Sequence, residues 1–461
     1  MKAVEAMRQP CIRGAPRAVA LLAGCALCFS SPCLASNEAI PLDSWAYPAL
    51  RTFELIGLTS LETTLPLTRR QMTRHVDEIT RRIEEEGVRL TPRQSFLYGR
   101  LFHEFSGSTL RRPGLREDQW LVVAAENGDF AAVDLLLGGG LRKPVDENRG
   151  QADATIVPSV LVALGDVELE TAYLVRIRPE RLAGSRKGGP APREKSWRGV
   201  TAAFERGTVS WTKRRWRVSA GRDHVQWGGG EEGLLLSMTA GTLDRVTATA
   251  RLGRFALTTL HALLDGVRPR RLAGHRLTVR LGGARVGIGE TVVYTGRSFD
   301  FAYFLPLGSF YASQFNEKED DNILWGIDCT LPLRPGLRFR GELLVDDFQY
   351  ESDPPAPNRI AFDLAVDAHL QAGDRELEVT AGYTFVDIFT YAHKDSLETR
   401  YLAGAGLPGV DRCLGSPLGP DSDRWRLRLS APLHPRLVLA VDGAVTRRGE
   451  GNDFREWDRI E

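Results

Sequence analysis

The feature that most constrains this chain is a long succession of segments in which polar and apolar side chains alternate. It begins near residue 130 and continues almost to the C-terminus, in segments of roughly 8 to 11 residues. In one of them, Leu337, Phe339, Gly341, Leu343 and Val345 oppose Arg338, Arg340, Glu342 and Asp346. Strands of soluble proteins usually have about five or six residues, whereas a tilted strand needs about nine to eleven to cross a bilayer. The pattern therefore predicts membrane-crossing strands whose polar face lines a hydrated lumen.

Alternation by itself also fits a soluble β-sandwich or a propeller, because their strands have one buried and one solvated face. The sequence has no internal repeat of blade length, which argues against a propeller. Beyond the N-terminal region, the chain has no apolar run long enough for a transmembrane helix. A chain that crosses a bilayer with strands must close them into a barrel. We therefore predict an all-β transmembrane barrel of about 16–18 antiparallel strands with a small N-terminal helical periplasmic region.

The N-terminus has the pattern of an export signal. Basic residues precede an uncharged apolar run over 18–29, and Cys33-Leu34-Ala35 supplies small residues at a cleavage site. This predicts a signal peptide over 1–35 with cleavage after Ala35. The segment 22–25 also fits a lipobox, which would make Cys25 a lipidated terminus; the apolar run that continues past Cys25 favours ordinary cleavage.

Residues 36–125 are predicted to form a helical periplasmic head, and 126–461 the barrel. Thr68 and Gln71 have the spacing of a capping box at the start of one helix, which should end at Gly87. The last clear strand pattern covers 436–445, and the chain ends in charged residues without the aromatic terminus common in outer-membrane barrels. Either the barrel closes in an unusual way or it lacks its last strands.

Composition removes several classes of function. The formal net charge of +1 lacks the basic excess of a nucleic-acid binder, so no nucleic acid is expected as a partner. Cys329 and Cys413 follow the leader without a CxxC pair, so no zinc site is expected, and their pairing stays open. The motifs of common hydrolases are absent from the sequence. We predict a protein that is not an enzyme and has no cofactor or metal.

A glycine-rich segment is the first candidate site. Arg222, Asp223, Trp227, Glu231 and Glu232 surround three consecutive glycines. Aromatic and charged side chains beside a glycine-rich loop suit polysaccharide binding, since an indole stacks on a sugar ring while charged groups hold hydroxyls. The alternative is a tight turn or inward constriction held by charges in the lumen.

A second group of candidates consists of paired acids and of arginines on a strand. The predicted lumen charge network comprises Asp320, Asp321, Asp346, Asp347, Arg338 and Arg340. Paired carboxylates can also bind Ca²⁺ or act in acid/base catalysis, but no EF-hand spacing surrounds either pair. Salt bridging between these acids and the arginines is the favoured interpretation.

Several segments resemble the capsule assembly Wzi family of outer-membrane proteins. The similar stretches are 41–47 (PLDSWAY), 222–237, 303–322, 342–348 (ELLVDDF) and 414–423 (LGSPLGPDSD). Each is a weak motif alone, but their order and joint presence over about 41–449 are fairly specific.

The resemblance implies an 18-stranded barrel with a helical periplasmic part, located in the cell outer membrane. It implies non-enzymatic binding or organisation of capsular or extracellular polysaccharide at the cell surface. The expected partners are that polysaccharide and outer-membrane lipid, with polysaccharide export machinery as a further candidate. The alternative function is an outer-membrane porin or sugar transport channel, in which the charged strand faces would act as a selectivity lining.

Overall fold

The structure is a computed structural model. It describes residues 37–105, 119–124, 129–142, 151–177, 195–197, 200–230, 233–264, 270–298, 300–306, 308–317, 321–347, 359–393, 399–403 and 412–449. The predicted signal peptide and three of the candidate acids, Glu231, Glu232 and Asp320, lie outside these residues.

The N-terminal region is helical, as predicted. Its elements are α1 (Ala46–Leu55), the short strand β1 (Thr64–Leu65), α2 (Arg69–Glu86) and α3 (Pro92–Phe105). The capping box at Thr68 and Gln71 starts α2, and Gly87 ends it with a left-handed φ of 62°. The apolar faces of the three helices pack into a single core that includes Leu50 and Met72. We call residues 37–105 the head.

The rest of the described chain is dominated by strands. Their bounds are β2 (Gln119–Ala124), β3 (Phe130–Arg142), β4 (Gln151–Leu164), β5 (Val167–Ile177), β6 (Lys195–Trp197), β7 (Val200–Lys213), β8 (Trp216–Asp223), β9 (Gln226–Trp227), β10 (Leu243–Leu252), β11 (Phe255–Leu263), β12 (Arg271–Leu281), β13 (Ala284–Tyr294), β14 (Asn322–Arg334), β15 (Leu337–Asp347), β16 (Arg359–Ala372), β17 (Arg375–Val386), β18 (Leu402–Ala403), β19 (Arg412–Cys413), β20 (Ser422–His434) and β21 (Leu437–Arg448). Two further helices, α4 (Phe301–Phe304) and α5 (Phe310–Glu317), interrupt this series.

Seventeen of these strands form one closed barrel; β9 pairs instead with β1, and β18 with β19. Neighbouring strands pair antiparallel, for example Glu342 of β15 opposite Asp363 of β16. This confirms the predicted all-β barrel and its strand number within the described part of the chain. Strand β2 lies inside the 36–125 range predicted for the head, because its backbone finds a hydrogen-bonding partner in β3.

The barrel wall is polar inside and apolar outside. On β15 the buried residues Arg338, Arg340 and Glu342 alternate with Leu343, which is exposed. This is the reverse of a soluble protein, and it suits a wall with lipid on its outer face. None of the described helices is long and apolar enough to cross a membrane.

The two ends of the barrel differ. At one end, two-residue turns such as 282–283 and 335–336 join the strands, whereas long connections such as 295–321 and 387–421 lie at the other. We call these the turn end and the loop end. The head contacts the turn end, where Gly336 N donates to Leu55 O at 2.8 Å. Short turns face the periplasm in outer-membrane barrels, so we expect the head on the periplasmic side.

Candidate functional site: the filled lumen

The head does more than contact the turns, because several of its side chains bond to the inward face of the wall. Arg276 donates from Nη2 to Thr63 Oγ1 at 2.9 Å and forms a buried ion pair with Asp328 at 2.6 Å. Glu54 of α1 pairs with Arg338 of β15, and both side chains are buried. Charged groups in the lumen therefore hold the head in place.

A carboxylate of the head also faces a basic wall. Glu62 Oε2 lies 2.6 Å from His75 Nε2 and close to Arg285 of β13. Burial raises the pKa of Glu62, but the charge and hydrogen bond of His75, together with Arg285, outweigh it. The pKa of Glu62 therefore lies below its ordinary value, and the group is ionised at neutral pH.

Residues 224–230 and 233–242, which we call the inward loop, enter the lumen from the loop end. Its strand β9 pairs antiparallel with β1 of the head, with Trp227 opposite Thr64. Gly228 N donates to Thr63 O at 2.9 Å. The Trp227 side chain is 1% exposed and packs closely against Gly274 of β12. The inward loop and the head therefore meet inside the barrel through a two-stranded sheet.

The three consecutive glycines lie against acceptors of the wall. Glu342 accepts hydrogen bonds from Gly230 N and, at 2.8 Å, from Leu234 N. A Cβ at Gly228 or Gly230 would overlap the Glu342 carboxylate, and Gly228 has a φ of +114°. Glycine is required here because the backbone approaches the carboxylate too closely for a side chain.

Residues 387–393, 399–403 and 412–421, which we call the cover, lie over the inward loop at the loop end. Tyr391 donates from its hydroxyl to Leu234 O at 2.8 Å, and Tyr401 donates to Leu235 O at 2.7 Å. The two tyrosine rings are stacked with centroids 5.7 Å apart. From the turn end to the loop end, the lumen therefore contains the head, the inward loop and the cover.

Part of the predicted lumen charge network lies together. Arg340 Nε is 2.7 Å from Asp367 Oδ2, and Arg338 Nη2 is 2.9 Å from the same oxygen. Arg340 also donates to Gly229 O at 3.1 Å, so the network supports the inward loop. Asp367 was not among the predicted network residues, although its inward position follows from the alternation of β16.

The acids of the predicted lumen charge network lie in different parts of the barrel. Asp346 accepts a hydrogen bond from Tyr391 N and so anchors the cover. Asp321 does not join the lumen arginines; it accepts from the Tyr303 hydroxyl at 2.7 Å, beside α4 on the outside of the barrel. The side chain of Asp347 lies outside what the structure describes.

The three predicted polysaccharide-contact residues that the structure describes do not share one surface. Arg222 forms an ion pair with Asp244 on the outer side of the rim, its Nε 2.6 Å from Oδ1. Asp223 points inward and pairs with Arg245 at 2.9 Å. Trp227 is buried against the wall, so its ring packs within the protein. The contact of these residues with sugar stays a prediction. The burial of Trp227 favours the alternative interpretation of the glycine-rich segment, an inward constriction of the lumen.

A cavity of about 710 Å³ remains between the head and strands β17, β20 and β21. Its charged lining includes Arg93, Arg100, Arg428 and Arg436. Arg100 stacks over the Trp45 ring, with 3.9 Å between its guanidinium carbon and the ring centroid. The space beside the head is thus rich in arginine, and Asp367, Glu376 and Glu378 also line it.

Among solved structures, the barrel is similar to Wzi of Escherichia coli, an outer membrane protein involved in group 1 capsule assembly and described as a carbohydrate-binding β-barrel. The TM-score is 0.58 at 12% identity, covering 89% of this chain and 86% of that chain. OccK8 (OprE) of Pseudomonas aeruginosa has a TM-score of 0.39 at 9% identity, covering 65% of this chain and 78% of that chain.

OprB of Pseudomonas putida has a TM-score of 0.37 at 11% identity, covering 70% of this chain and 90% of that chain. Scores below 0.5 are too low to argue from. No protein-family model and no curated protein matches the sequence. The likeness to Wzi shows the fold, and together with the apolar outer face of the wall it makes this chain a β-barrel of the outer membrane.

Proposed function

We propose that this protein binds or organises capsular or extracellular polysaccharide at the cell surface without catalysing a reaction. The observation that carries the proposal is the filled lumen, in which Glu342 and the tyrosines at 391 and 401 fix the inward loop. A barrel occupied by its own chain offers an outer surface for binding in place of a pore. The carbohydrate binding stated for Wzi, which has a similar fold, supports the same conclusion.

The binding surface is expected at the loop end, where the long connections lie. Among the predicted contact residues that the structure describes, Arg222 remains accessible there, with a side chain 30% exposed beside Asp244. A guanidinium and a carboxylate side by side can donate to and accept from sugar hydroxyls. Trp227 would act from within, by keeping the inward loop and therefore the loop end in one arrangement.

The test is binding of the purified, detergent-folded protein to the polysaccharide of its own host. We expect saturable binding that Arg222→Ala weakens. Arg254→Ala is the matched control, because Arg254 is an exposed arginine of a turn-end hairpin and should leave binding unchanged. A well-folded wild-type protein that does not bind the polysaccharide would exclude this function.

A transport channel is the second candidate, and the arginine-rich cavity beside the head is the observation that favours it. Such a lining would select anionic solutes if the cavity joined an open path through the barrel. Conductance across a planar bilayer separates the two functions. The filled lumen predicts little steady current, whereas a large steady conductance of the wild-type protein would favour the channel.

A further inference from the structure

Two short helices lie on the outside of the barrel near the loop end. The rings of Tyr303 in α4 and Phe310 in α5 are 2% and 0% exposed. They pack against Val292 and Tyr294, which point outward from β13. Residues 300–306 and 308–317, which we call the outer segment, are therefore a packed part of the outer wall.

This segment covers polar groups that would otherwise face lipid. Glu290 points outward from β13 and accepts from Phe310 N at 2.9 Å, Tyr311 N at 3.0 Å and Trp325 Nε1 at 2.7 Å. The His275 ring, also outward, lies 4.4 Å from the Phe310 ring. An ionisable side chain on a lipid-facing wall is costly unless it is covered and bonded. The start of α5 covers Glu290 and donates two of these hydrogen bonds to it.

A second set of contacts fixes α4. Asp300 caps the helix by accepting from Ala302 N at 2.9 Å, and Arg297 Nε lies 2.7 Å from the same carboxylate. Burial and the Asp321 carboxylate raise the pKa of Tyr303, so its hydroxyl stays protonated and donates to Asp321. The orientation of the segment is therefore determined by specific bonds.

The other side of the segment is apolar and uncovered. Phe301, Phe304, Leu305 and Tyr311 are 70%, 50%, 46% and 44% exposed. Tyr311 touches Trp325 of β14, with ring centroids 5.7 Å apart. Lower on the same outer face, Ile288 and Ile327 are 54% and 50% exposed. The aromatic patch thus continues the lipid-facing surface of the wall.

We propose that the outer segment forms a membrane-binding site outside the barrel, seated at the boundary between the acyl chains and the headgroups of the outer leaflet. Aromatic side chains favour this boundary, because their rings are apolar while tyrosine keeps a polar group toward water. The site lies at the loop end, beside the long connections, and it would hold the barrel at a defined depth. The proposal is independent of polysaccharide binding.

The test places spin labels on the full chain in dioleoylphosphatidylcholine vesicles, after Cys329→Ser and Cys413→Ser remove the native thiols of the described chain. Labels go on Phe304→Cys and, as a second site, on Leu305→Cys. The collision rates with oxygen, which partitions into lipid, and with a water-soluble nickel complex are then compared. Heat-modifiable electrophoretic mobility confirms that each variant is folded.

Two control labels define the scale. Ile288→Cys reports the lipid-facing wall, and Ser95→Cys reports an exposed position of the head. We expect the oxygen-to-nickel ratio at Phe304→Cys to exceed that of the head several-fold and to stay below that of the wall, because the boundary is shallower than Ile288. A ratio equal to that of the head would overturn the proposal. Spin–spin broadening between labels at Phe304→Cys would also overturn it, since a second copy would then be the occupant.

Discussion

The closed position of the inward loop depends on glycine at 228, and Gly228→Ala should release it. Gly228 has a φ of +114°, a conformation that side chains make unfavourable by about 1–3 kcal/mol. The added methyl group also overlaps the Glu342 carboxylate, which must then move away from Gly230 N and Leu234 N. Leaving one buried backbone donor without its partner costs about 1–3 kcal/mol.

The closed loop is therefore destabilised by at least about 2 kcal/mol, a roughly 30-fold change in the ratio of closed to open states. Amide hydrogen exchange over 224–242 reports this ratio directly, since opening exposes the backbone to solvent. We expect exchange in that segment to accelerate by a similar factor, and brief conductance steps to appear in planar bilayers.

Gly443→Ala is the matched control, because a Cβ at Gly443 would meet no atom within 4 Å. It adds the same methyl group to the wall and should leave exchange over 224–242 at the wild-type rate. If Gly228→Ala folds normally and exchanges no faster than Gly443→Ala, close approach of the glycines does not hold the loop.

Three further outcomes test the interior. Arg276→Gln leaves the buried carboxylate of Asp328 without its partner, which should lower the free energy of unfolding by about 3–5 kcal/mol in denaturant titrations. The pKa of Glu62 is lowered in the folded protein, so the stabilisation by its carboxylate is complete above the ordinary pKa of 4.5 and is lost as pH falls below that value. Glu62→Gln should therefore flatten the acid side of the curve of stability against pH. A curve that this variant leaves unchanged would refute the lowered pKa of Glu62. Cys329 and Cys413 are both free thiols, so unfolding without reductant should expose both to a thiol reagent, and finding neither reactive would contradict the structure.

The strands and the capped helix could be predicted because their signals are local. The alternation over 337–346 corresponds to β15, and the capping box at Thr68 starts α2, because each depends on neighbours a few residues away. Polarity of the inward face follows from the same period of two. The buried positions of Arg338 and Arg340 on β15 agree with that period.

Other placements depend on contacts between distant parts of the chain. Trp227 was predicted to contact sugar, but it is buried because β9 pairs with Thr64 and Leu65, far earlier in the sequence. Asp321 was predicted to line the lumen, but it bonds to Tyr303 outside the barrel. Periodicity cannot show either partner, since it describes which face a residue occupies and not what covers that face.

The sequence by itself determined the strand period, the apolar outer face and the helical head, because these follow from side-chain spacing and the geometry of the backbone. Only the tertiary structure decided that the lumen is filled and that the outer segment lies on the outer wall. Both depend on long-range pairs, such as Glu342 with the inward loop and Glu290 with the start of α5. Such pairs form where the closed barrel brings distant segments together, so their energy has no local signature in the chain.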